Sequence, residues 1–543
     1  MNVAELLVAG LEEAGVTTAY GVPGEENTHL MQALETSSID VVLTRHEQAA
    51  AYMASVHARL TGHPALCFAT LGPGATNLMT GVADAQLDHA PMIVVTGQGE
   101  RARLNKTSSH QLIDLERLFE PVTKFSRTLM CAEEVNGLLA EAIRIAQEPN
   151  PGAVHLSLPK DLAQANTTMK PVPAPHPATA TAAPKAMAAA LDLLKKSQRP
   201  LIIAGDGVVR ARAARDMAQF ATQANIPLAT TFMAKGILSA DHPLHLHCIG
   251  QPFDDHIDDV IDTRDLIIAV GFDPIEVPPA ALTSGGDVPV LHIAALPATL
   301  EHDWTIASDV AGDIGQSLRG LSAAMKGHIW PEDPRVAECV KQIAEARGRP
   351  RGTQNNGLHP ADVLRIVERT LARDTLVLSG VGTHKMEVAR YLAASTTRQI
   401  IIPNGLAGMG IALPGAIAAA RLGRHGHVLA ICGDGEFMMN VQDMETAARL
   451  GLSFTVLLWE DGGYGLIKAK QEADTGDHTP LSFGNPDWQA LAQSFGWKHV
   501  RVENLDALGT ALEDYRSGLT LITLPVDYRD ALQRDKTPEV QVA

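Results

Sequence analysis

The sequence predicts an α/β protein built from three doubly wound parallel-sheet domains. Three observations carry that prediction. Short apolar runs of strand length alternate with amphipathic helical stretches along the chain, the pattern of helices packed on both faces of parallel sheets. Two stretches interrupt the alternation: residues 165–184, ANTTMKPVPAPHPATATAAP, and residues 344–357, AEARGRPRGTQNNG, which follows an expected helix. Finally, 543 residues are too many for one hydrophobic core. The predicted domains are therefore residues 1–164, 185–343 and 358–543.

In the first domain, MNVAELLVAGLEEAGV carries acids where a targeting leader carries bases, so it reads as a helix. ALCFAT (65–70) reads as a buried strand, LGPGAT as a glycine turn, NLMTGVADAQL as a helix and PMIVVTG (91–97) as the next strand. The second domain contains LIIAGDGVVRARAARDMAQF and DLIIAVGFDP, both strand-turn-helix units. Its Gly205-Asp206-Gly207 is half a dinucleotide fingerprint and is read as a tight turn after a buried strand. In the third domain, HVLAIC (427–432) is a strand, GDG a turn, VQDMETAARLG a helix and SFTVLLW (453–459) a strand. The first and third domains thus repeat one architectural phrase, and are expected to face each other across a shared ligand.

Composition narrows the function classes. The chain is 45% hydrophobic and 20% charged, with a formal net charge of −18 and no long basic run. That balance excludes nucleic acid and anionic membranes as natural partners. No uninterrupted apolar stretch is long enough to span a bilayer. Cys67, Cys131, Cys248, Cys339 and Cys432 are scattered, with no CxxC pair. They read as buried thiols of a cytoplasmic protein rather than as a disulfide frame or zinc site.

Chemistry concentrates in the third domain. Gly433-Asp434-Gly435 ends one strand, and Glu460-Asp461-Gly462-Gly463-Tyr464 ends the next. Ligands of open parallel sheets bind at such carboxyl ends. Asp461 follows Asp434 by 27 residues, room for one helix and one returning strand, so both carboxylates can aim at one hard cation. Magnesium takes one or two protein carboxylates and fills its octahedron from phosphate and water. The glycines let backbone amides approach a phosphate, and the following helix offers its N-terminus. Asp206 is an internal control: 27 residues after it stands Met233, which cannot serve magnesium.

At these residues the chain resembles the thiamine diphosphate-dependent enzymes, whose motif is GDG, a helix and strand, then a paired Asn. Most members have Asn-Asn where this chain has Glu460-Asp461. The resemblance implies a magnesium ion held by Asp434, Asp461 and the backbone carbonyl of Gly463, with Gly433, Gly435 and Tyr464 around the diphosphate. Glu47, in Arg45-His46-Glu47-Gln48-Ala49-Ala50-Ala51, matches the carboxyl group that activates the cofactor against N1′ of its aminopyrimidine. Met409, in Asn404-Gly405-Leu406-Ala407-Gly408-Met409-Gly410, matches the wedge that bends the cofactor; the Ala407 carbonyl meets the aminopyrimidine, and Thr383 and His384 align with a loop touching the diphosphate.

The resemblance covers nearly the whole chain and runs nearest to acetolactate synthases of the catabolic, flavin-independent branch. It is carried by YGVPGEEN (20–27), TRHEQAAAYMA (44–54), LGPGATNLMTGVADA (71–85), SSHQLIDLERLFEPVTK (108–124), VGFDPIEVPP (270–279), GDGEFMMNVQDMETA (433–447) and LPVDYRD (524–530), and by the WxD pattern from Trp459 to Asp461. It implies decarboxylation of pyruvate and transfer of the two-carbon unit to a second 2-oxo acid, giving 2-acetolactate. Gln111 matches an active-site glutamine, His110 falls where biosynthetic members carry Phe, and Lys124 matches a family lysine whose plainer reading is an exposed one. Glu25-Glu26 and Lys470 depart from the synthase pattern and bear on the choice of acceptor. The alternatives are a 2-oxo-acid decarboxylase or oxidase on the same scaffold, or a catalytically silent cofactor-binding homologue. FAD, which related synthases and oxidases bind against the middle domain, is the secondary cofactor expectation. The resemblance further implies a homodimer or homotetramer with sites shared between subunits.

Overall fold

The computed structural model describes residues 1–104, 106, 110–173, 178–250, 256–283, 287–300, 304–354, 357–514 and 516–528. The first sheet contains β1 (Thr18–Gly21), β2 (Asp40–Leu43), β3 (Ala65–Ala69), β4 (Met92–Gln98), β5 (Phe125–Thr128) and β6 (Ala153–Pro159), in the order β2-β1-β3-β4-β6-β5. The second contains β7 (Pro200–Ala204), β8 (Leu228–Thr230), β9 (His245–Cys248), β10 (Leu266–Val270), β11 (Pro289–Ala294) and β12 (Thr305–Ala311), in the order β12-β11-β10-β7-β8-β9. A two-stranded antiparallel pair, β13 (Thr353–Gln354) and β14 (Gly357–Leu358), precedes the third sheet. That sheet contains β15 (Thr375–Ser379), β16 (Ile400–Ile401), β17 (His427–Gly433), β18 (Phe454–Glu460), β19 (Lys498–Arg501) and β20 (Leu519–Pro525), ordered β16-β15-β17-β18-β20-β19.

Every pairing in the three six-stranded sheets is parallel. The inner strands are covered on both faces, so β3, β7 and β10 are buried at every position and read as continuous apolar runs. Each sheet has a central reversal of strand order: between β1 and β3, between β7 and β10, and between β15 and β17. A crevice opens at the carboxyl ends of the strands at each reversal.

Local boundaries differ from the sequence expectation where helix geometry overrides turn chemistry. The glycine turn after β3 is short, because Pro73 occupies the first position of the helix Pro73–Leu87, where its missing N–H is harmless. After β17 the expected turn is already helical: Gly433 is the N-cap and Asp434 opens the helix Asp434–Phe437. The helix expected over VQDMETAARLG divides into a 3-10 turn, Val441–Asp443, and the helix Met444–Arg449. The stretch 344–357 is less irregular than its composition suggests, since the helix Pro334–Gly348 occupies its start and β13 and β14 its end.

The first and third sheets share one hydrophobic cluster, which runs from Tyr20, Tyr52 and Leu78 to Leu378, Ile417, Val456 and Leu521. The helix Glu47–Thr61 lies at its centre and is buried along nearly its whole length. It packs so closely on the helix Pro73–Leu87 that a Cβ at Gly81 would lie 2.4 Å from the Ala51 Cβ. Among the described residues no helix is long and apolar enough to cross a membrane.

Candidate active site

At the third sheet's reversal, three neighbouring strands deliver three turns side by side. Gly382-Thr383-His384 follows β15, Gly433-Asp434-Gly435 follows β17, and Asp461-Gly462-Gly463 follows β18. The His384 ring fills the space between the first two: a Cβ on Gly382 or Gly433 would come within 3.1 Å of it. Burial, and then the charge of Lys385, lower the His384 pKa to about 3, so the ring is a neutral spacer.

Asp434 is almost wholly buried, and backbone and side-chain donors surround it. Its Oδ1 accepts the Gly435 N–H at 2.8 Å; its Oδ2 accepts the Gly462 N–H at 2.9 Å and Asn485 Nδ2 at 2.8 Å. Asp461 is more open to solvent, yet surrounding protein atoms, and secondly the charge of Asp434, push its carboxyl up to about 7. Two carboxylates held this close are relieved by a shared proton or a cation. A Cβ on Gly465 would lie 2.6 Å from Asp461 Oδ2 and 3.1 Å from Thr383 Oγ1, so these two side chains converge at the start of the helix Gly465–Thr475. Among the described residues no group of three or more His, Cys, Asp or Glu is placed to hold a metal. A cation here would take two carboxylates and find its other oxygens elsewhere, the habit of magnesium.

Glu47 stands at the first sheet. It opens the helix Glu47–Thr61 beyond β2 and is 9% exposed. His46 caps this helix, its Nδ1 accepting the Gln48 N–H at 3.1 Å, and the Arg45 N–H reaches across to Asp443 Oδ1 at 3.0 Å. Asn77 Nδ2 donates to Glu47 Oε2 at 3.0 Å. Oε1 faces Gly74, where an added Cβ would approach to 3.3 Å. The loop carrying His110 and Gln111 is exposed and leans on the same edge: a Cβ on Gly72 would meet the Gln111 carbonyl at 2.8 Å. Gln111 adopts a left-handed backbone, φ 57°. Ser108 and Ser109, which open the SSHQ motif, lie outside the described residues, as do Arg529 and Asp530 of LPVDYRD.

The segment Asn404–Gly410 connects the two edges. Ala407 is left-handed at φ 54°, and Met409 is half-buried. Tyr52 Oη donates to the Met409 carbonyl at 3.3 Å, and a Cβ on Gly408 would lie 2.3 Å from that hydroxyl oxygen. Glu436 Oε1 accepts the N–H groups of Gly410 at 3.0 Å and Ala412 at 3.2 Å, while Asn440 Nδ2 donates to the Gly410 carbonyl at 2.9 Å. Asp88 Oδ1 accepts the N–H groups of Asn404 and Gly405 at 3.3 and 2.6 Å. Its Oδ2 pairs with Arg59 Nη1 at 2.9 Å, both side chains buried.

The predicted residues therefore fall into two groups in one chain. Thr383, His384, Gly433, Asp434, Gly435, Asp461, Gly463 and Tyr464 surround the third sheet's reversal; Glu47, His110 and Gln111 lie at the first, with Ala407 and Met409 between. Lys124 is not a plain exposed lysine: it is half-buried and caps backbone carbonyls of Ile145 and Asn150 at 2.9 and 3.1 Å. Glu25 pairs with Lys160, and Glu26 accepts the Thr70 hydroxyl at 3.0 Å. The control aspartate, Asp206, is engaged by Arg210 at 2.7 Å, and Met233 Sδ accepts from Arg59. Sequence reasoning missed Asn77, Asp88, Glu436 and Asn485. Of these only Asn485 had a local signal, the Asn-Pro turn it forms with Pro486.

Known proteins are similar to this chain along nearly its whole length. Three family descriptions match in order: thiamine pyrophosphate enzyme, N-terminal TPP binding domain, over residues 1–118; the central domain over 187–321; and the C-terminal TPP binding domain over 380–524. The chain is 30% identical to an acetolactate synthase of Bacillus subtilis (strain 168), over 99% of this chain and 95% of that protein. It is 29% identical to a catabolic acetolactate synthase of Raoultella terrigena, over 97% and 95%. It is 30% identical to the acetolactate synthase isozyme 2 large subunit of Escherichia coli (strain K12), over 94% and 93%.

Proposed function

The chain belongs to the thiamine pyrophosphate enzyme family, and on that premise we propose that it decarboxylates pyruvate and joins the two-carbon unit to a second 2-oxo acid, giving 2-acetolactate. The observation that carries the reading is the pairing of the Asp434 and Asp461 turns at one sheet reversal with a buried, amide-held Glu47 at the other.

The residues present fit the cofactor and its metal. Asp434, Asp461 and the Gly463 carbonyl are hard oxygen donors suited to Mg²⁺. Gly382 caps the helix Thr383–Tyr391 and Gly433 the helix Asp434–Phe437, so helix N-termini would face a diphosphate. When bound, the thiazolium ring supplies the electron sink for loss of carbon dioxide. Glu47 holds a proton against the pyrimidine ring, and Asn77 fixes the carboxyl plane from behind. Met409, on a segment of backbone pinned by Tyr52, Glu436 and Asn440, would supply an apolar surface against the cofactor. His110 and Gln111, exposed at the same edge, would meet the 2-oxo acids in this reading.

Incubating the protein with thiamine diphosphate, Mg²⁺ and pyruvate should release carbon dioxide and yield 2-acetolactate as the main product. Acetaldehyde as sole product would refute carboligation. The proposed protein is flavin-free, so a purified sample should be colourless. We assign it to the cytoplasm, as an enzyme of small 2-oxo acids.

The sites are shared between subunits in this proposal. Leu406, Met438, Met439, Tyr464 and Ile467 are each 37–47% exposed around the third-sheet turns, an apolar surface suited to a second copy. A dimer or tetramer is expected in sedimentation velocity; a fully active monomer would contradict shared sites.

A further inference from the structure

The arm formed by residues 481–485 folds back across the second of the two carboxylate turns. The Tyr464 N–H donates to the Leu481 carbonyl at 3.2 Å, the Phe483 N–H donates to the Gly462 carbonyl at 3.0 Å, and Gly463 and Ser482 form an antiparallel bridge. The Phe483 ring lies over Gly435, where a Cβ would come within 2.9 Å, and packs edge-on against Tyr464 with centroids 5.2 Å apart. Zipped to one turn in this way, the arm returns to the other: Asn485 Nδ2 donates to Asp434 Oδ2 at 2.8 Å.

Asn485 is braced from behind as well. Pro486 restricts its backbone to extended conformations. Asp487 caps the helix Trp488–Ser494, and buried Trp488 packs on Phe437, the last residue of the helix that Asp434 opens. The Asn485 side chain therefore has little freedom to leave Asp434. Its amide orientation follows from chemistry, since the reverse would set Oδ1 against a carboxylate oxygen. Yet that Oδ1 is buried and has no hydrogen-bond partner among the described residues. A buried acceptor without a donor is costly, and its presence beside an acidic turn points to a donor supplied from outside the chain.

We propose that Asn485 is a positioning residue of the metal turn: its Nδ2 orients Asp434 for ligation, and its Oδ1 accepts a hydrogen bond from a water molecule on the bound Mg²⁺. This rests on the magnesium reading given above. The outer partners of metal-ligating carboxylates characteristically govern metal affinity by about 10–100-fold.

The test is a titration of the full-length protein with Mg²⁺ in the presence of thiamine diphosphate, following cofactor binding by calorimetry. Asn485→Ala should raise the half-saturating Mg²⁺ concentration about 10–100-fold, while kcat at saturating metal stays within a few fold of wild type. Asn485→Leu keeps the branched shape with somewhat more bulk, loses both polar atoms, and should show the same shift. Mn²⁺ titrations read by electron paramagnetic resonance should shift in parallel, independently of turnover. An unchanged half-saturation in both variants would overturn the assignment of Asn485 alone. Cofactor binding by wild type that ignores Mg²⁺ would instead overturn the metal site itself.

Discussion

Glu47→Gln is expected to lower kcat on pyruvate by roughly 10²–10⁴-fold while leaving cofactor affinity within a few fold. The substitution preserves size and shape, so the helix Glu47–Thr61 keeps its start and Asn77 Nδ2 still finds a carbonyl oxygen to donate to. What disappears is the ability to hold and release a proton. Glu47 occupies a site 9% exposed, where water is a poor substitute for that proton. Cofactor binding would be followed by calorimetry and turnover by carbon dioxide release from the same preparation. A variant that binds and turns over normally would remove Glu47 from the chemistry; one that fails to bind would make it a structural cap.

Asp88→Ala should destabilise the protein by about 3–5 kcal/mol, the usual cost of breaking a buried ion pair from one side. It strands the Arg59 guanidinium, whose other hydrogen bond among the described residues is to the Met233 sulfur, a weak acceptor. It also removes the acceptor for two backbone N–H groups, those of Asn404 and Gly405. Neighbouring Asp84 offers limited rescue, because burial, which the variant leaves in place, is the main cause that pushes its carboxyl up to about 8. Urea unfolding measures the first effect. A double replacement, Arg59→Met with Asp88→Leu, separates it from the second. Stability should largely return, because an apolar pair of similar volume is tolerated, but the Asn404–Gly410 segment still lacks its anchor and kcat should stay low. Full recovery of kcat would mean that Tyr52, Glu436 and Asn440 hold that segment without Asp88.

The contrast between these residues shows what the sequence made legible. Strands such as ALCFAT and HVLAIC were visible because a doubly covered parallel strand is apolar at every position, and the structure places them within a residue of expectation. Asp434 and Asp461 were visible because the link between two adjacent strands has a characteristic length, so spacing alone puts both turns on one edge. Asp88 was invisible for the opposite reason. Its backbone partners are 316 and 317 residues away, in another domain, and nothing near His89 and Ala90 marks it as more than a helix end. Glu436 looked like a charge following a glycine motif, yet it is buried, with its carboxyl pushed up to about 7 chiefly by burial, and it holds two backbone amides. Local pattern reports local geometry; the groups that join domains have none to report.

The common core of the first and third sheets makes the molecule less modular than its three sheets suggest. Side chains of both sheets interleave in one cluster around the helix Glu47–Thr61, whereas the second sheet buries two clusters of its own and lends only Phe232, Met233 and Cys248 to a cluster with the third. Loosening either outer sheet strips cover from the other. In folding terms the two outer sheets form one cooperative body, and their sequences must drift together.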